Sequence, residues 1–584
     1  MGYMPQIPTA AKQRRMTDIF SGYRHQPRIN DGEFYDMRNL SSDYFPLMSA
    51  RKARGLVLPS GNMQGIMEMA EKLAYVENGT LYYAGEATAV QGLSEGEKQM
   101  VGMGAYICIF PDKVYYNTAE PTDHGSMEAA YSSTGPVKYS MCKIDGTAYA
   151  KSPVVSDTAP ANPEDGALWV DSSTGSYKLL IYSAALSTWA DIQDVYTKIE
   201  FITTGEISAL FKQYDGVEIS GSTIDNINGN KVIYYAGGGE NEADFIVVSN
   251  LLKEAVTQGE GSVRIRRSVP EINFVCESQN RLWGCFYGQK DGKMLNEIYC
   301  CALGDFKNWN RYIGISTDSW TASVGADGEW TGAATYLGYP TFFKENSIHR
   351  ITVSGTGGHR ITETAARGVA PGSHRSLQVV NETLYYKSRS DVCAYQGAFP
   401  ASVSDALGDE QYSDAVSGSV GDKYYISMRD AAKSPQLFVY DAKRGIWCKE
   451  DNLRVKGFAK AGDELYAIAE DGLWAMLGSK GDREAFVGWM AESGLMYYQY
   501  PDKKYVSRFN FRVYMEKGAT FDVYIQYDSE GPWEHKGRVQ YNGINTVTIP
   551  IRPRRCDHLR IRLEGKGAFK LYSIAKILEI GSDM

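Results

Sequence analysis

One short word recurs along the 584-residue chain: a turn residue or two, then an aliphatic or aromatic residue followed by Tyr or Trp, inside a run of β-formers. It reads Asn78-Gly79-Thr80-Leu81-Tyr82-Tyr83, Pro111-Asp112-Lys113-Val114-Tyr115-Tyr116 and Gln279-Asn280-Arg281-Leu282-Trp283. It returns as Asn381-Glu382-Thr383-Leu384-Tyr385-Tyr386, Gly421-Asp422-Lys423-Tyr424-Tyr425 and Gly462-Asp463-Glu464-Leu465-Tyr466. The step is 33 residues from Tyr82 to Tyr115, 39 from Tyr385 to Tyr424 and 42 from Tyr424 to Tyr466. A degenerate period of roughly 40 residues in strand-rich sequence is the spacing of propeller blades. Tyr339-Pro340-Thr341-Phe342-Phe343 is a weaker copy without the usual turn residues, and it bridges the 102-residue gap from Trp283 to Tyr385. Counting it, the chain is expected to hold about seven blades. A propeller is a scaffold and by itself specifies no chemistry.

Composition supports an all-β fold. The chain holds 41 Tyr and 59 Gly, a pairing that favours short strands joined by tight turns. Helical signal is sparse, and Ile207–Lys212 is too short to stand as a helix without tertiary help. The length exceeds what one core serves, so several domains are expected.

The period divides the chain. Residues 1–55 hold no packed element but mix basic residues with aromatics, which an isolated disordered tail would lack. They read as an extended arm lying either on its own propeller or on a neighbouring subunit. The first blades run over 56–143, and at Ser152–Asp165 the sequence turns to linker composition. Short strands around Leu168-Trp169-Val170, Leu179-Leu180-Ile181-Tyr182 and Thr188-Trp189 follow. Asn-Gly and Asp-Gly turns between apolar runs then mark hairpins up to about Leu252. Residues 144–260 therefore read as inserted β modules. Blades resume over 261–482, and the strictly alternating runs from 483 to 584 predict a β-sandwich.

Charge and motifs narrow the function classes. A net charge of −9 argues against tight, non-specific nucleic-acid binding. Nine cysteines form no CxxC or Cys/His zinc pattern, and several lie in apolar strand-like runs. They read as small buried apolar residues of a protein assembled in a reducing compartment. No run approaches the roughly 20 apolar residues of a membrane span, and the N-terminus lacks the pattern of a secretion signal. The seven histidines are scattered, no catalytic motif is present, and Gly355-Thr356-Gly357-Gly358 reads as a turn. No metal, cofactor or catalytic residue is expected. Asp305, Asp318 and Glu329 are the carboxylates that a propeller-borne glycosidase would draw on. Trp169 and Trp189 have a plainer reading as the insert's own small core and a functional one as rings that stack on sugar.

Two stretches resemble phage tail proteins. The run Arg28-Ile29-Asn30-Asp31-Gly32-Glu33-Phe34-Tyr35-Asp36-Met37-Arg38-Asn39-Leu40, continuing to Pro46, is similar to the opening of tail and stabilisation proteins of phages of Gram-positive gut bacteria. Asn280-Arg281-Leu282-Trp283 with Leu303-Gly304-Asp305-Phe306-Lys307-Asn308-Trp309 resembles an element of tail nozzle and packaged-DNA stabilisation proteins of short-tailed phages, with Trp309 where that element has Phe. The closing run Ile549–Arg560 looks like the terminal sandwich of the same proteins, and Gly166–Asp171 like a small module of tail fibres and adhesins. The resemblance implies a homo-oligomeric ring, usually a hexamer, in the virion tail that continues the portal and adaptor channel. It would retain packaged double-stranded DNA and conduct it on infection. Arg14, Arg15, Arg28, Phe34 and Tyr44 of the arm are then the expected assembly contacts. A host-receptor or glycan-binding tail component is the alternative, and a propeller depolymerase a further one.

Overall fold

The computed structural model describes residues 12–174, 176–239, 242–259, 261–353, 358–496 and 503–580. The proposed turn at 355–357 and the first eleven residues of the arm lie outside these. Among the described residues one α-helix of five residues stands against more than fifty strands. The chain forms two compact units, one of Met1–Met100, Asp327–Arg350 and Thr362–Met584, the other of Val101–Ala326 and Ile351–Ile361.

The fold is all-β, a β-propeller with an insert and a terminal sandwich. Six sheets are four-stranded meanders in chain order, beginning at Met63, Gln99, Phe274, Trp330, Gln378 and Ser413. The seventh, Gly457–Ala461, Glu464–Ile468 and Gly472–Ala475, takes its fourth strand from Gly55–Pro59, near the other end of the chain. The recurring word marks the strand after a hairpin. In the first blade Glu77 pairs with Thr80 around Asn78 (φ 49°) and Gly79 (φ 72°). In the fifth, Val380 pairs with Thr383 around Asn381 (φ 47°) and Glu382 (φ 64°). Two consecutive left-handed residues make the turn whose twist matches the strands it joins. The weaker copy near Tyr339 has such a turn after all, in Leu337 (φ 51°) and Gly338 (φ 77°). In the fifth blade the word's side chains are buried on both faces, with a neighbouring sheet on either side. Leu384 and Tyr386 pack with Phe343 and Ile348 of the preceding blade, while Tyr385 lies in the core with Tyr424 of the next.

The arm is no free extension. Lys12–Thr17 pairs with Phe569–Ile580, Met48–Ala50 pairs with the same strand, and Glu33–Arg38 pairs with Gly488–Ser493. The sandwich therefore consists of two six-stranded sheets built from both ends of the chain. Its core joins Phe20, Phe34, Met37 and Leu40 to Trp489, Phe509, Phe511, Phe521 and Leu571. Lys12–Ala50 and the described strands from Gly488 to Ile580 form one sandwich, because neither set of strands alone covers its apolar face. Within this chain Lys12–Ala50 packs on the sandwich.

The insert is also larger than its composition break suggested. Its eight-stranded sheet starts at Ala129–Ser132 and ends at Arg264–Arg267, and these two outermost segments pair with each other. A smaller sheet, Val154–Ser156, Leu168–Asp171, Lys178–Ser183 and Thr188–Ile192, is nested within it. The helix Glu206–Leu210 receives the tertiary help its length demands from Asp244. The carboxylate of Asp244, itself fully buried, accepts the N–H groups of Gly205, Glu206 and Ile207 at 3.0, 2.9 and 3.2 Å. The nine cysteines are buried. Apolar surroundings raise the Cys300 thiol to about 11 and that of Cys448 to about 12.

Candidate functional site

The nested sheet brings Trp169 and Trp189 together. Trp169 stands opposite Leu180, Leu180 opposite Asp191, and Tyr182 opposite Trp189. Side chains alternate along a strand, so these residues share one face of the sheet. Leu168, Val170 and Leu179 point the other way, into a small core with Met141, Ile192 and Leu251. The tryptophans are therefore not the module's core. They form an aromatic cluster on its opposite face, where the Trp189 ring lies 5.5 Å from Trp169 and 5.3 Å from Tyr182. Trp169 is buried, its indole N–H donating to the Ser156 carbonyl at 3.0 Å. Trp189 and Tyr182 remain half-exposed. Lys178 and Asp191 flank them, 3.8 Å apart. Rings of this kind, with polar groups at their edge, suit the apolar face and hydroxyl rim of a sugar. Tyr182 escaped the sequence reading, although the alternation of Lys178–Ser183 aims it to the side of Trp189.

The Gly304–Trp309 element is a buried joint inside the second unit. The Asn308 side-chain amide donates to Asp215 at 3.0 Å and to Asp305 at 2.6 Å, and its carbonyl oxygen accepts the Gly216 N–H at 2.9 Å. Asp215 is also paired with Arg267 at the insert's closing strand. Trp309 donates to the Phe306 carbonyl at 2.8 Å, and both rings pack with Tyr115 and Leu282. The element ties the third blade to the root of the insert. A Cβ added at Gly216 would come within 2.3 Å of the Asn310 backbone, so glycine is required there.

The carboxylates proposed for hydrolysis are otherwise engaged. Asp318 accepts the N–H groups of Ile313, Gly314 and Ile315 at 2.6, 2.6 and 3.1 Å and pairs with Arg311 at 3.3 Å. Asp305 accepts the Lys307 N–H at 3.1 Å besides Asn308. Both carboxylates close their own loops. Glu329 is exposed in the other unit.

The expected assembly contacts divide. Phe34 is buried, stacked 6.1 Å from Phe20 in the core of the sandwich. Arg14, opposite Ile577, and Arg28 are exposed, and Arg15, opposite Lys576, is half-buried. Tyr44 is 49% exposed, with the Lys570 ammonium 3.6 Å from its ring centroid.

No protein-family model matches the chain, and no curated protein matches it. Solved structures to which it is similar include an exo-β-1,3-galactanase of Phanerochaete chrysosporium, at 9% identity over 52% of this chain and 94% of that one, with a TM-score of 0.21. PorZ, a surface component of the type-IX secretion system of Porphyromonas gingivalis, is 12% identical over 88% of this chain and 82% of its own, with a TM-score of 0.26. The endosialidase of phage phi92 is 8% identical over 96% and 75%, with a TM-score of 0.22. Likeness at this level concerns fold class and assigns neither substrate nor activity. It does overturn the expectation of a chain without enzymatic function: enzymes that cleave carbohydrate stand among the matched structures, so that expectation is not retained.

Proposed function

We propose that the chain is a tail protein of a bacterial virus, a ring-forming hub or nozzle in which the propeller is scaffold and the insert and sandwich carry outward contacts. The observation that supports this reading is the position of the residues that resemble tail proteins. Glu33–Arg38 enters the sandwich as a paired strand, and Gly304–Trp309 locks the insert to its blade through Asn308 and Asp215. The words shared with that family are thus the joints this architecture needs. In the ring, the exposed arm residues Arg14, Arg28 and Tyr44 supply contacts. A net charge of −9 suits a wall along which DNA phosphates slide without sticking. Mass photometry and negative-stain imaging of the purified protein test this: a closed ring, with hexamers foremost, is expected. A protein that stays monomeric or trimeric at every concentration, or an antibody that labels no virion tail, overturns it.

A second reading is favoured by the Trp169, Trp189 and Tyr182 cluster, namely contact between the insert and a host-surface glycan. Trp189→Ala is expected to abolish retention on the cell-wall glycan of the host while leaving assembly intact. Unchanged retention removes this reading.

A further inference from the structure

A cleft of about 370 Å³ opens in the first unit where the arm, the sandwich and the segment leading into it meet. Its floor is apolar, formed by the buried side chains of Val487, Ala519 and Phe569. Its walls combine two kinds of group. Tyr44 and Phe486 are 49% and 57% exposed, large apolar rings that the fold leaves facing solvent. Tyr514 stands beside them. Lys52, Lys517 and Lys570 also line it. Among the described residues no carboxylate lies within ion-pair distance of these three ammonium groups. Lys570 instead lies 3.6 Å from the Tyr44 ring centroid and 5.8 Å from that of Tyr514.

The two carboxylates nearby do not cancel this charge. Asp43 is already paired with Lys423, whose ammonium also donates to Ser41 at 3.1 Å. Although burial opposes it, Lys423 first and Lys52 after it hold the Asp43 carboxyl below its ordinary value, which leaves Lys517 and Lys570 as the less compensated charges of the cleft. Glu516 is exposed at the turn that carries Lys517. A local excess of unpaired lysine in a chain of net charge −9 costs self-repulsion and marks a place for an anion. Lysine is a point charge that suits a carboxylate or phosphate without demanding a planar fork. The exposed rings add a surface for an apolar ring face, and the volume lies in the range of small-ligand clefts.

We propose that this cleft binds an acidic saccharide, its carboxylate or phosphate held by Lys52, Lys517 and Lys570 and its ring stacked on Tyr44 or Phe486. The site is separate from the aromatic cluster of the insert and does not depend on the tail reading, which its own assembly measurement decides.

Titration calorimetry and saturation-transfer NMR on the full chain test it with four probes: digalacturonate, glucose 6-phosphate, cellobiose and inorganic phosphate. At least one acidic sugar is expected to bind, about tenfold or more tighter than cellobiose, and to weaken as salt is raised. Binding of one and not the other names the anion, carboxylate or phosphate. Lys517→Gln and Lys570→Gln are each expected to lower affinity by about tenfold. Phe486→Ala and Tyr44→Ala are expected to remove saturation transfer to the sugar ring between them while near-ultraviolet circular dichroism stays unchanged. Inorganic phosphate binding as tightly as either sugar, cellobiose binding equally well, or no binding at all overturns the proposal. So does a loss on Trp189→Ala with none on Lys517→Gln, which moves the site to the insert.

Discussion

Arg54, with 3% of its side chain exposed, lies between Glu450 at 2.6 Å and Asp451 at 2.7 Å, and Arg51 reaches Glu484 at 2.6 Å. Arg51 also donates to Asn39 at 2.7 Å, so the end of the arm and the sixth blade are tied by one network of charges in the first unit. Taking such groups from water is costly, and removing one partner strands the rest. Arg54→Met is therefore expected to destabilise the first unit by about 3–5 kcal/mol, read from its denaturant midpoint. The paired variant Arg54→Met with Glu450→Leu is expected to recover much of that loss, and failure to recover would mean that packing at the site outweighs charge. The acid limb follows from the same groups. Burial opposes ionisation of Asp451 and Glu484, but the adjacent Arg54 and Arg51 prevail and both carboxyls lie below their ordinary values of 3.8 and 4.5. The unfolded chain then binds more protons across that window, so stability rises with pH there. The contribution is complete above the ordinary carboxyl values and is lost as pH falls through the depressed ones. Melting temperature plotted against pH is expected to fall less steeply below about pH 4.5 in Glu484→Gln than in the parent chain.

At the level of the element, turn chemistry explains why so much of the blade pattern was readable. Asn78, Gly79, Gly421 and Gly462 are residues that accept a left-handed backbone at small cost, and the structure uses them so. Glu382, at φ 64°, is an exception, as is Leu337, and is held because the hairpin around it is buried on both faces. Glu382→Gly is expected to leave the melting temperature unchanged or raise it slightly, whereas Glu382→Val is expected to cost about 1–2 kcal/mol. Equal stability of the two variants would show that the turn relaxes. Other elements were not legible, and the reason is range. The five-residue helix at Glu206 depends on Asp244, which lies far along the chain and pairs with no local motif. Asp244→Ala is expected to speed amide exchange over residues 205–211 by at least about tenfold, the scale of a lost cap. Unchanged exchange there would assign the helix to packing by Ile207 alone. The aromatic cluster of the insert was half visible: Trp169 and Trp189 stand out by composition, but which face they share follows only from the register of Leu180 between them.

For the molecule as a whole, periodicity reveals blades because each repeats a local pattern, whereas the sandwich borrows strands from the opposite end of the chain and leaves no local trace of doing so. Arg51 and Arg54 appeared as part of a basic, contact-seeking arm, yet their partners Glu450, Asp451 and Glu484 lie some 400 residues away in sequence. The same long-range closure recurs where Gly55–Pro59 completes the seventh blade. The two closures follow one another, so the stretch Lys12–Pro59 serves the sandwich first and the propeller next. Deleting residues 1–50 removes strands from both sheets of the sandwich and uncovers Phe509, Phe511, Phe521 and Leu571, which share a core with Phe20, Phe34 and Met37. Uncovered apolar surface and open strand edges favour association. The truncated chain is expected to aggregate or to lose residues 488–580 to limited proteolysis, while a fragment containing the blades persists. A truncated chain that stays soluble and protease-resistant but fails to assemble would instead assign Lys12–Ala50 to a neighbouring subunit, with the strands exchanged between copies at unchanged pairing. The expected outcome is the first, because Lys12–Thr17 pairs along its whole length with Phe569–Ile580 and Lys576 of that strand holds Asp31 of the arm at 2.9 Å with 2% of its own side chain exposed.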